Sequence, residues 1–184
     1  MGRHWWILVP AMLGLGACEP DFEPTISEGI EAMPRQTSPW PEYGGGGGRR
    51  YAALDLIRPD NVSDLEVAWV HRSGDMSDGS RQDVPSTSAY EVTPILVAGR
   101  LVFCTAFNRI IALDPLTGAE LWSHDPGVDL SGSYGNQLIC RGVAQWAAEE
   151  GPDGFCSRRV LSATNDGYLL ALDAASGEPC AEFG

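Results

Sequence analysis

The stretch Ala112-Leu-Asp-Pro-Leu-Thr-Gly-Ala-Glu-Leu-Trp122 decides the fold, together with the apolar run Ile110-Ile-Ala-Leu113 that leads into it. An unbroken apolar run is expected of a strand that is covered on both faces. The side chain of Asp114 can bond turn amides, and Gly118 can adopt a positive φ in the tight connection that follows. Trp122 then supplies a large flat ring that can fill the space between neighbouring sheets.

The same pattern returns 59 residues later in the chain. Ala112-Leu-Asp114 corresponds to Ala171-Leu-Asp173, and Thr117-Gly118 corresponds to Ser176-Gly177 at the same spacing. The second copy is degenerate, with Ala181 in place of the tryptophan. Self-similarity at a fixed period marks a repeat array, and periodic glycine and aromatic motifs mark the blades of a β-propeller. A β-meander without repeats would not reproduce both motifs at one spacing.

Two further strands are predicted upstream. Leu65-Glu-Val-Ala-Trp-Val-His71 alternates in polarity and is a candidate for the outer strand that closes the ring of many propellers. Residues 91–97 form another candidate, and Pro94 within it predicts that this strand starts or edges its sheet.

The composition fits an all-β chain and excludes a nucleic-acid partner. The 184 residues include 22 glycines and 13 prolines, which favours many short strands over long helices. Lys plus Arg is 12 and Asp plus Glu is 25, a net charge of −13. A protein binds a phosphate backbone by neutralising the phosphates with lysine and arginine. In this chain acidic residues outnumber basic ones, so it is a poor candidate for such binding.

The first residues have the pattern of an export signal. The apolar run from Trp5 to Leu15 is long enough for a signal peptide and too short to span a bilayer. It ends in Leu15-Gly-Ala-Cys18, which resembles the bacterial lipobox. We therefore expect residues 1–17 to be a lipoprotein signal peptide, Cys18 to carry the lipid and residues 18–39 to be a tether. Glu19 after the cysteine weakly favours outer-membrane sorting. An ordinary signal peptide with an incidental cysteine is the alternative.

Four cysteines remain, Cys104, Cys140, Cys156 and Cys180. Export places them in an oxidising compartment, where disulfides persist. Cys140 and Cys156 flank a loop that contains glycine and proline, and we expect this pair to be bridged. Connectivity cannot be derived from sequence, and four buried thiols are the alternative.

The motif that ends in Trp122 resembles the tryptophan-docking motif of the pyrroloquinoline-quinone (PQQ) dehydrogenases, and several other ordered motifs resemble the same family. They are Trp40-Pro-Glu-Tyr-Gly-Gly45, Arg50-Tyr-Ala-Ala-Leu-Asp55, Ile57-Arg-Pro-Asp-Asn-Val62, Leu65-Glu-Val-Ala-Trp69 with Arg72-Ser-Gly-Asp75, and Thr93-Pro94 with Phe107-Asn-Arg109. The resemblance covers residues 40–184. It implies an all-β fold in which this chain supplies the N-terminal blades of an eight-bladed propeller, incomplete in this chain.

Two positions match residues that the family places at its cofactor. Glu91 falls where the family has a glutamate near the quinone, and Arg141 where it has an arginine at the acidic edge of PQQ. A guanidinium binds a carboxylate in a bidentate way, and PQQ carries three carboxylates. A surface ion pair is the other explanation of such an arginine. The family's calcium ligands and catalytic aspartate lie downstream of the matched region, so the sequence nominates no catalytic residue and no metal ligand in this chain.

The resemblance also suggests a branch of the family. The alcohol-oxidising branch has two adjacent cysteines where this chain has Gly135 and Asn136, whereas Cys140-Arg-Gly-Val143 and the C-terminal Glu178–Gly184 stretch look more like the glucose, quinate and shikimate branch. The implied function is oxidation of a sugar or polyol hydroxyl, with electrons passed to a membrane quinone or a cytochrome. A non-enzymatic propeller lipoprotein of outer-membrane assembly is the rival class, and an inactive truncated product is the third alternative.

Overall fold

The computed structural model describes residues 40–135, 137–148 and 154–183 of the chain. Within them the regular structure consists of seven β-strands and two short 3₁₀ helices, so the predicted all-β class is confirmed. The strands are β1 Ile95–Val97, β2 Arg100–Cys104, β3 Ile110–Leu113, β4 Glu120–His124, β5 Ala144–Ala147, β6 Arg158–Ala163 and β7 Leu169–Asp173. The 3₁₀ helices span Gly46–Gly48 and Val62–Asp64.

The first sheet is an antiparallel meander in the order β1-β2-β3-β4. Ala98 and Gly99 join β1 to β2, and both have positive φ, 49° and 75°, as in the two-residue turns that match strand twist. All four residues of β3 are buried, which is the fully covered strand that its apolar run predicts. Pro94 directly precedes β1 at the edge of the sheet, also as predicted.

The second sheet contains β5, β6 and β7 in that order and repeats the geometry of the first. Leu101 pairs with Leu113 between β2 and β3, and Val160 pairs with Leu172 between β6 and β7. These two pairs are separated by the same 59 residues as the sequence motifs. The repeat is therefore structural, and the two sheets are consecutive blades of an incomplete β-propeller.

The tight turns after β3 and β7 explain the recurring aspartate and glycine. Asp114 Oδ1 accepts hydrogen bonds from the second and third amides after it at 2.8 and 3.0 Å, and Asp173 Oδ1 does the same at 3.0 and 2.9 Å. The amides of Gly118 and Gly177 donate to the carbonyls of these aspartates at 2.9 and 2.8 Å. Both glycines have positive φ, 71° and 75°, a conformation that favours glycine.

A tryptophan docks onto each of these turns. The ring of Trp122 lies over Gly177 of the next blade, and its Nε1 donates to a carbonyl of the same turn at 3.3 Å. Trp69 lies over Gly118 in the same way, with an Nε1–carbonyl distance of 3.2 Å. The prediction that Trp122 fills the space between blades is therefore confirmed.

The main core lies between the two blades. It contains buried side chains from the first sheet and from the second, including Val102, Ile110, Trp122, Val160 and Leu172. Because both blades contribute, the core fixes how the second blade sits against the first.

The prediction of a strand at residues 65–71 is wrong for this structure, which has no strand there. Leu65, Val67 and Val70 are exposed. A β-strand needs a neighbouring strand to pair its amides and carbonyls, and no strand among the described residues pairs with this segment. The segment is held by two side chains, Trp69, which docks onto Gly118, and His71, whose ring contacts that of Phe103 edge to face.

The expected Cys140–Cys156 disulfide is also wrong. The structure joins Cys104 to Cys140 and Cys156 to Cys180, each pair with a Cα–Cα distance of 5.9 Å. The reason is the antiparallel hairpin of β5 and β6, whose register pairs Ala147 with Arg158 at the end where the strands connect. Cys156 lies at that end and Cys140 beyond the other end, so their closeness along the chain does not bring them together.

The leader, Cys18 and the tether all fall in residues 1–39, outside the described part of the chain. Among the residues that are described, no helix has the length and apolar character needed to cross a membrane.

Candidate functional site

The candidate site is built on two backbone segments that run parallel beside the blades. Isolated parallel bridges join them at Ser88–Leu138 and at Thr93–Gly142. The first segment is one residue longer between these bridges, so the pairing is interrupted by a local bulge. Irregularities of this kind re-aim side chains and are common next to active sites.

The two residues that the sequence assigned to the cofactor lie on these segments and contact each other. Arg141 Nη2 is 3.4 Å from Glu91 Oε2. The side chains are 79% and 45% exposed, and ion pairs as exposed as this one contribute little to stability. The structure thus brings the two predicted residues together. Because their ion pair contributes little to the stability of the fold, fold stability does not explain why the two residues are paired.

Glu91 and Arg141 line one cavity of about 770 Å³ that opens between the parallel segments and the second blade. The rest of its lining is mostly apolar or small, and includes Val143, Leu161 and Leu169. A mostly apolar cavity with a few converging polar groups is the usual form of a small-molecule site.

Ser162 on β6 lies in the wall of this cavity, with a covered and unpaired hydroxyl. The residue is 3% exposed, it lines the cavity, and its Oγ has no hydrogen-bond partner among the described residues. A buried hydroxyl without a partner costs about 1–3 kcal/mol.

Sequence reasoning missed Ser162 and also Tyr43, which lines the same cavity. A signal existed for each. Ser162 occupies the position of Phe103 in the 59-residue repeat, so a hydroxyl replaces a buried ring. Tyr43 belongs to the Trp40–Gly45 stretch on which the family resemblance partly rests.

The described residues offer no cluster of three or more histidine, cysteine, aspartate or glutamate side chains that could hold a metal ion. Asn136, one of the two positions that differ from the alcohol-oxidising branch, lies outside the described residues.

The chain belongs to the family whose model is described as "PQQ: Glucose/ethanol/alcohol dehydrogenase, beta-propeller domain", because that model matches residues 40–184. The predicted family is therefore confirmed. The match covers both blades and the cavity between the parallel segments and β6.

Curated relatives and a solved structure agree with this family. The chain is 37% identical over 165 residues to quinoprotein glucose dehydrogenase of Escherichia coli (strain K12), covering 86% of this chain and 20% of that protein. It is 33% identical over 172 residues to the glycerol dehydrogenase large subunit of Gluconobacter oxydans (strain 621H), covering 92% of this chain and 22% of that protein. It superposes on the crystal structure of quinohemoprotein alcohol dehydrogenase from Comamonas testosteroni with a TM-score of 0.59 and 32% identity. The superposition covers 82% of this chain and 20% of that one. The chain thus spans about a fifth of the length of these relatives.

The residues of the cavity fit one part of PQQ. Arg141 offers a guanidinium for a carboxylate, and the apolar lining suits a flat ring system. One guanidinium cannot balance three carboxylates, and Arg141 is the one cationic side chain among the residues that line the cavity, so further cationic groups would have to come from beyond this lining.

Proposed function

We propose that this chain forms the N-terminal blades of a PQQ-dependent dehydrogenase that oxidises a hydroxyl group of a sugar or polyol to a carbonyl. The observation that carries the proposal is the placement of Glu91 and Arg141 together in one cavity of a chain that belongs to this family. The names of the relatives support the substrate class, since they include a glucose and a glycerol dehydrogenase.

In the proposed site Arg141 would hold a carboxylate of PQQ, and a rotation of the Ser162 side chain would bring its hydroxyl to a second acceptor. Glu91 neutralises the guanidinium in the absence of ligand and would offer a hydrogen-bond acceptor to the bound ligand. The apolar side chains of Val143 and Leu161 would exclude water from these contacts and so strengthen them. Bound PQQ supplies the two-electron acceptor, while the protein supplies position and electrostatics.

The remaining machinery is proposed to lie outside this chain. It comprises the calcium ligands, the general base that removes the hydroxyl proton, and the surface that passes electrons to a quinone or a cytochrome. We propose that the dehydrogenase works on the periplasmic side of a bacterial membrane, anchored through a lipid on Cys18. Membership of the dehydrogenase family favours this function over a propeller of outer-membrane assembly.

The test is a dye-linked assay on the full-length protein that carries these residues, purified without cofactor and reconstituted with PQQ and calcium. We expect PQQ-dependent oxidation of at least one aldose or polyol, and no turnover by the isolated 184-residue chain. Absence of PQQ-dependent dye reduction across a panel of aldoses, polyols and cyclic polyol acids would refute the proposed function.

A further inference from the structure

We propose that the Cys104–Cys140 disulfide is a positioning device for Arg141, holding its backbone at the cavity so that the guanidinium meets an anionic ligand without reordering of the loop. The inference deepens the proposed function and rests on it. Nothing in the family match or in the relatives assigns a role to this disulfide.

The disulfide connects a buried strand end of the first blade to the residue next to Arg141. Cys104 is the last residue of β2 and is fully buried, while Cys140 directly precedes Arg141. The bond therefore ties the backbone beside Arg141 to a strand that lies inside the sheet and is paired with β1 and β3. Sites held by rigid elements are more precise than sites on free loops.

Hydrogen bonds hold the neighbouring backbone on both sides of this bond. The amide of Thr93 donates to the carbonyl of Arg141 at 3.2 Å. Leu138 exchanges two hydrogen bonds with the segment opposite, at 2.9 and 3.1 Å. The disulfide lies between these anchors, where the bulge in the parallel pairing leaves fewer backbone bonds. The disulfide thus restrains the backbone where a regular series of inter-strand hydrogen bonds would otherwise do so.

The side chain of Arg141 has no comparable support. Its ion-pair partner among the described residues is Glu91, at 3.4 Å, and the side chain is largely exposed. Positioning of the guanidinium therefore depends on its backbone, and hence on the residues that fix that backbone. Loss of the disulfide should therefore weaken ligand binding because Arg141 is no longer held in place. The cysteines themselves do not line the cavity.

The second disulfide provides a matched control. Cys156 and Cys180 are 24 residues apart, against 36 for Cys104 and Cys140, so both bonds close loops of similar length and should stabilise to a similar degree. Neither Cys156 nor Cys180 lines the cavity. Removal of this pair therefore measures the effect of a lost disulfide without a change beside Arg141.

The experiment is PQQ titration of the full-length apoprotein, followed by recovery of activity, for wild type, Cys104→Ser/Cys140→Ser and Cys156→Ser/Cys180→Ser. Non-reducing peptide mapping first verifies the two bonds in the wild type. We expect the half-saturating PQQ concentration to rise about tenfold for the first pair and to stay unchanged for the second, with similar losses of Tm for both. Equal shifts for both pairs, or free thiols at Cys104 and Cys140 in the wild type, would overturn the inference. If the serine pair does not fold, Cys104→Ala/Cys140→Val keeps the site apolar and serves in its place.

Arg141→Ala separates this inference from the proposed function. In that background, loss of the Cys104–Cys140 bond should cause no further rise in half-saturation, because the group that it positions is gone. A further tenfold rise would refute the positioning role and leave the cofactor site standing. If Arg141→Ala alone does not change half-saturation, the proposed site fails, and the inference fails with it.

Discussion

The indole of Trp122 lies so close to the α-carbon of Gly177 that a β-carbon at Gly177 would stand 2.5 Å from Trp122 Cε3. The same indole donates through Nε1 to the carbonyl of Ala174 at 3.3 Å. The ring thus joins the last strand of one blade to the turn of the next by packing and by a hydrogen bond. The contact sets the distance between blades, and with it the position of β6 beneath the cavity.

Gly177→Ala should therefore destabilise the chain through two effects, the steric clash with Trp122 and the positive φ of 75° at this position. Together they should lower the free energy of unfolding by about 3 kcal/mol, since overpacking costs about 1–3 kcal/mol and the backbone strain adds to it. Gly99→Ala is the matched control, because Gly99 also has φ of 75° but open space around its missing β-carbon. Urea unfolding should show a loss of about 1 kcal/mol for that variant. Equal losses for the two variants would show that the docking contact has no energetic weight.

The repeat and the blades could be predicted from the sequence, and so could the nearness of Glu91 to Arg141, because the resemblance assigned both to the cofactor; their ion pair and the disulfides could not. Ala-Leu-Asp and Thr/Ser-Gly are local motifs. Their side-chain hydrogen bonds and glycine conformation determine the turn, so the turn can be predicted from these few residues alone. Glu91 and Arg141 are far apart in sequence, and only the family resemblance placed them together. The partner of Cys140 depends on which strand end lies beside it in the folded chain, and sequence spacing pointed to the wrong end of the β5–β6 hairpin.

The failure at residues 65–71 has a different cause. The alternation of polarity there is a real strand pattern, but a strand forms only against a partner edge, and none of the described strands offers one. The sequence signal for Ser162 was its place at the Phe103 position of the repeat, but that substitution gains meaning only from the burial of Ser162 and from the lack of a hydrogen-bond partner among the described residues.

The stability of the second blade should depend on pH through Asp173. Burial raises the pKa of Asp173, but hydrogen bonds from the amide of Cys156, at 2.7 Å, and from Ser176 and Ala175 outweigh it and hold the pKa below its ordinary value of 3.8. A carboxyl with a lowered folded pKa contributes stability above its unfolded pKa, and that contribution is lost as the pH falls through the folded pKa.

Asp173→Asn should therefore lower the free energy of unfolding by about 1–3 kcal/mol at neutral pH, because the amide of Cys156 loses its acceptor. The difference from wild type should shrink below about pH 4, as the wild-type carboxyl protonates. Asp129→Asn is the control: the Ser131 hydroxyl and amide lower the pKa of Asp129 too, but this carboxyl is exposed. Denaturant unfolding at a series of pH values measures both. A constant difference between wild type and Asp173→Asn down to pH 2 would contradict the assignment.

Lipidation of Cys18 stays a prediction from the Leu15-Gly-Ala-Cys18 pattern. Metabolic labelling of the protein with a fatty acid, in a bacterium that processes lipoproteins, should tag the wild type and not Cys18→Ser. The same variant should leave the membrane fraction, since no other anchor is proposed. Equal labelling of the two proteins would show that the cysteine is incidental.

Ser162→Ala should weaken cofactor binding without weakening the fold. The Ser162 hydroxyl has no partner to lose among the described residues, so Tm should stay the same or rise. Loss of one hydrogen bond to the ligand should raise the half-saturating PQQ concentration about fivefold. Ser176→Ala is the control, because Ser176 bonds Asp173 in the turn and does not line the cavity; Tm should fall and half-saturation should not move. A lower Tm with unchanged half-saturation for Ser162→Ala would assign this hydroxyl to the fold.

The claim that Glu91 and Arg141 form one edge of a PQQ site is tested most directly by titrating PQQ into the full-length apoprotein. The variants are Arg141→Ala, Arg141→Lys and Arg81→Ala, the last a control in which an arginine of another exposed ion pair, with Asp83, is removed. Arg141 is largely exposed in the ligand-free chain, but in the proposed complex PQQ covers it. Loss of one partner of such a desolvated charge pair costs about 2–5 kcal/mol, which is a rise in half-saturation of about thirtyfold to several thousandfold. Arg141→Lys should recover part of this loss, because an ammonium lacks the planar fork. We predict a large rise for Arg141→Ala and no change for Arg81→Ala; identical half-saturation for wild type, Arg141→Ala and Arg141→Lys would contradict the account.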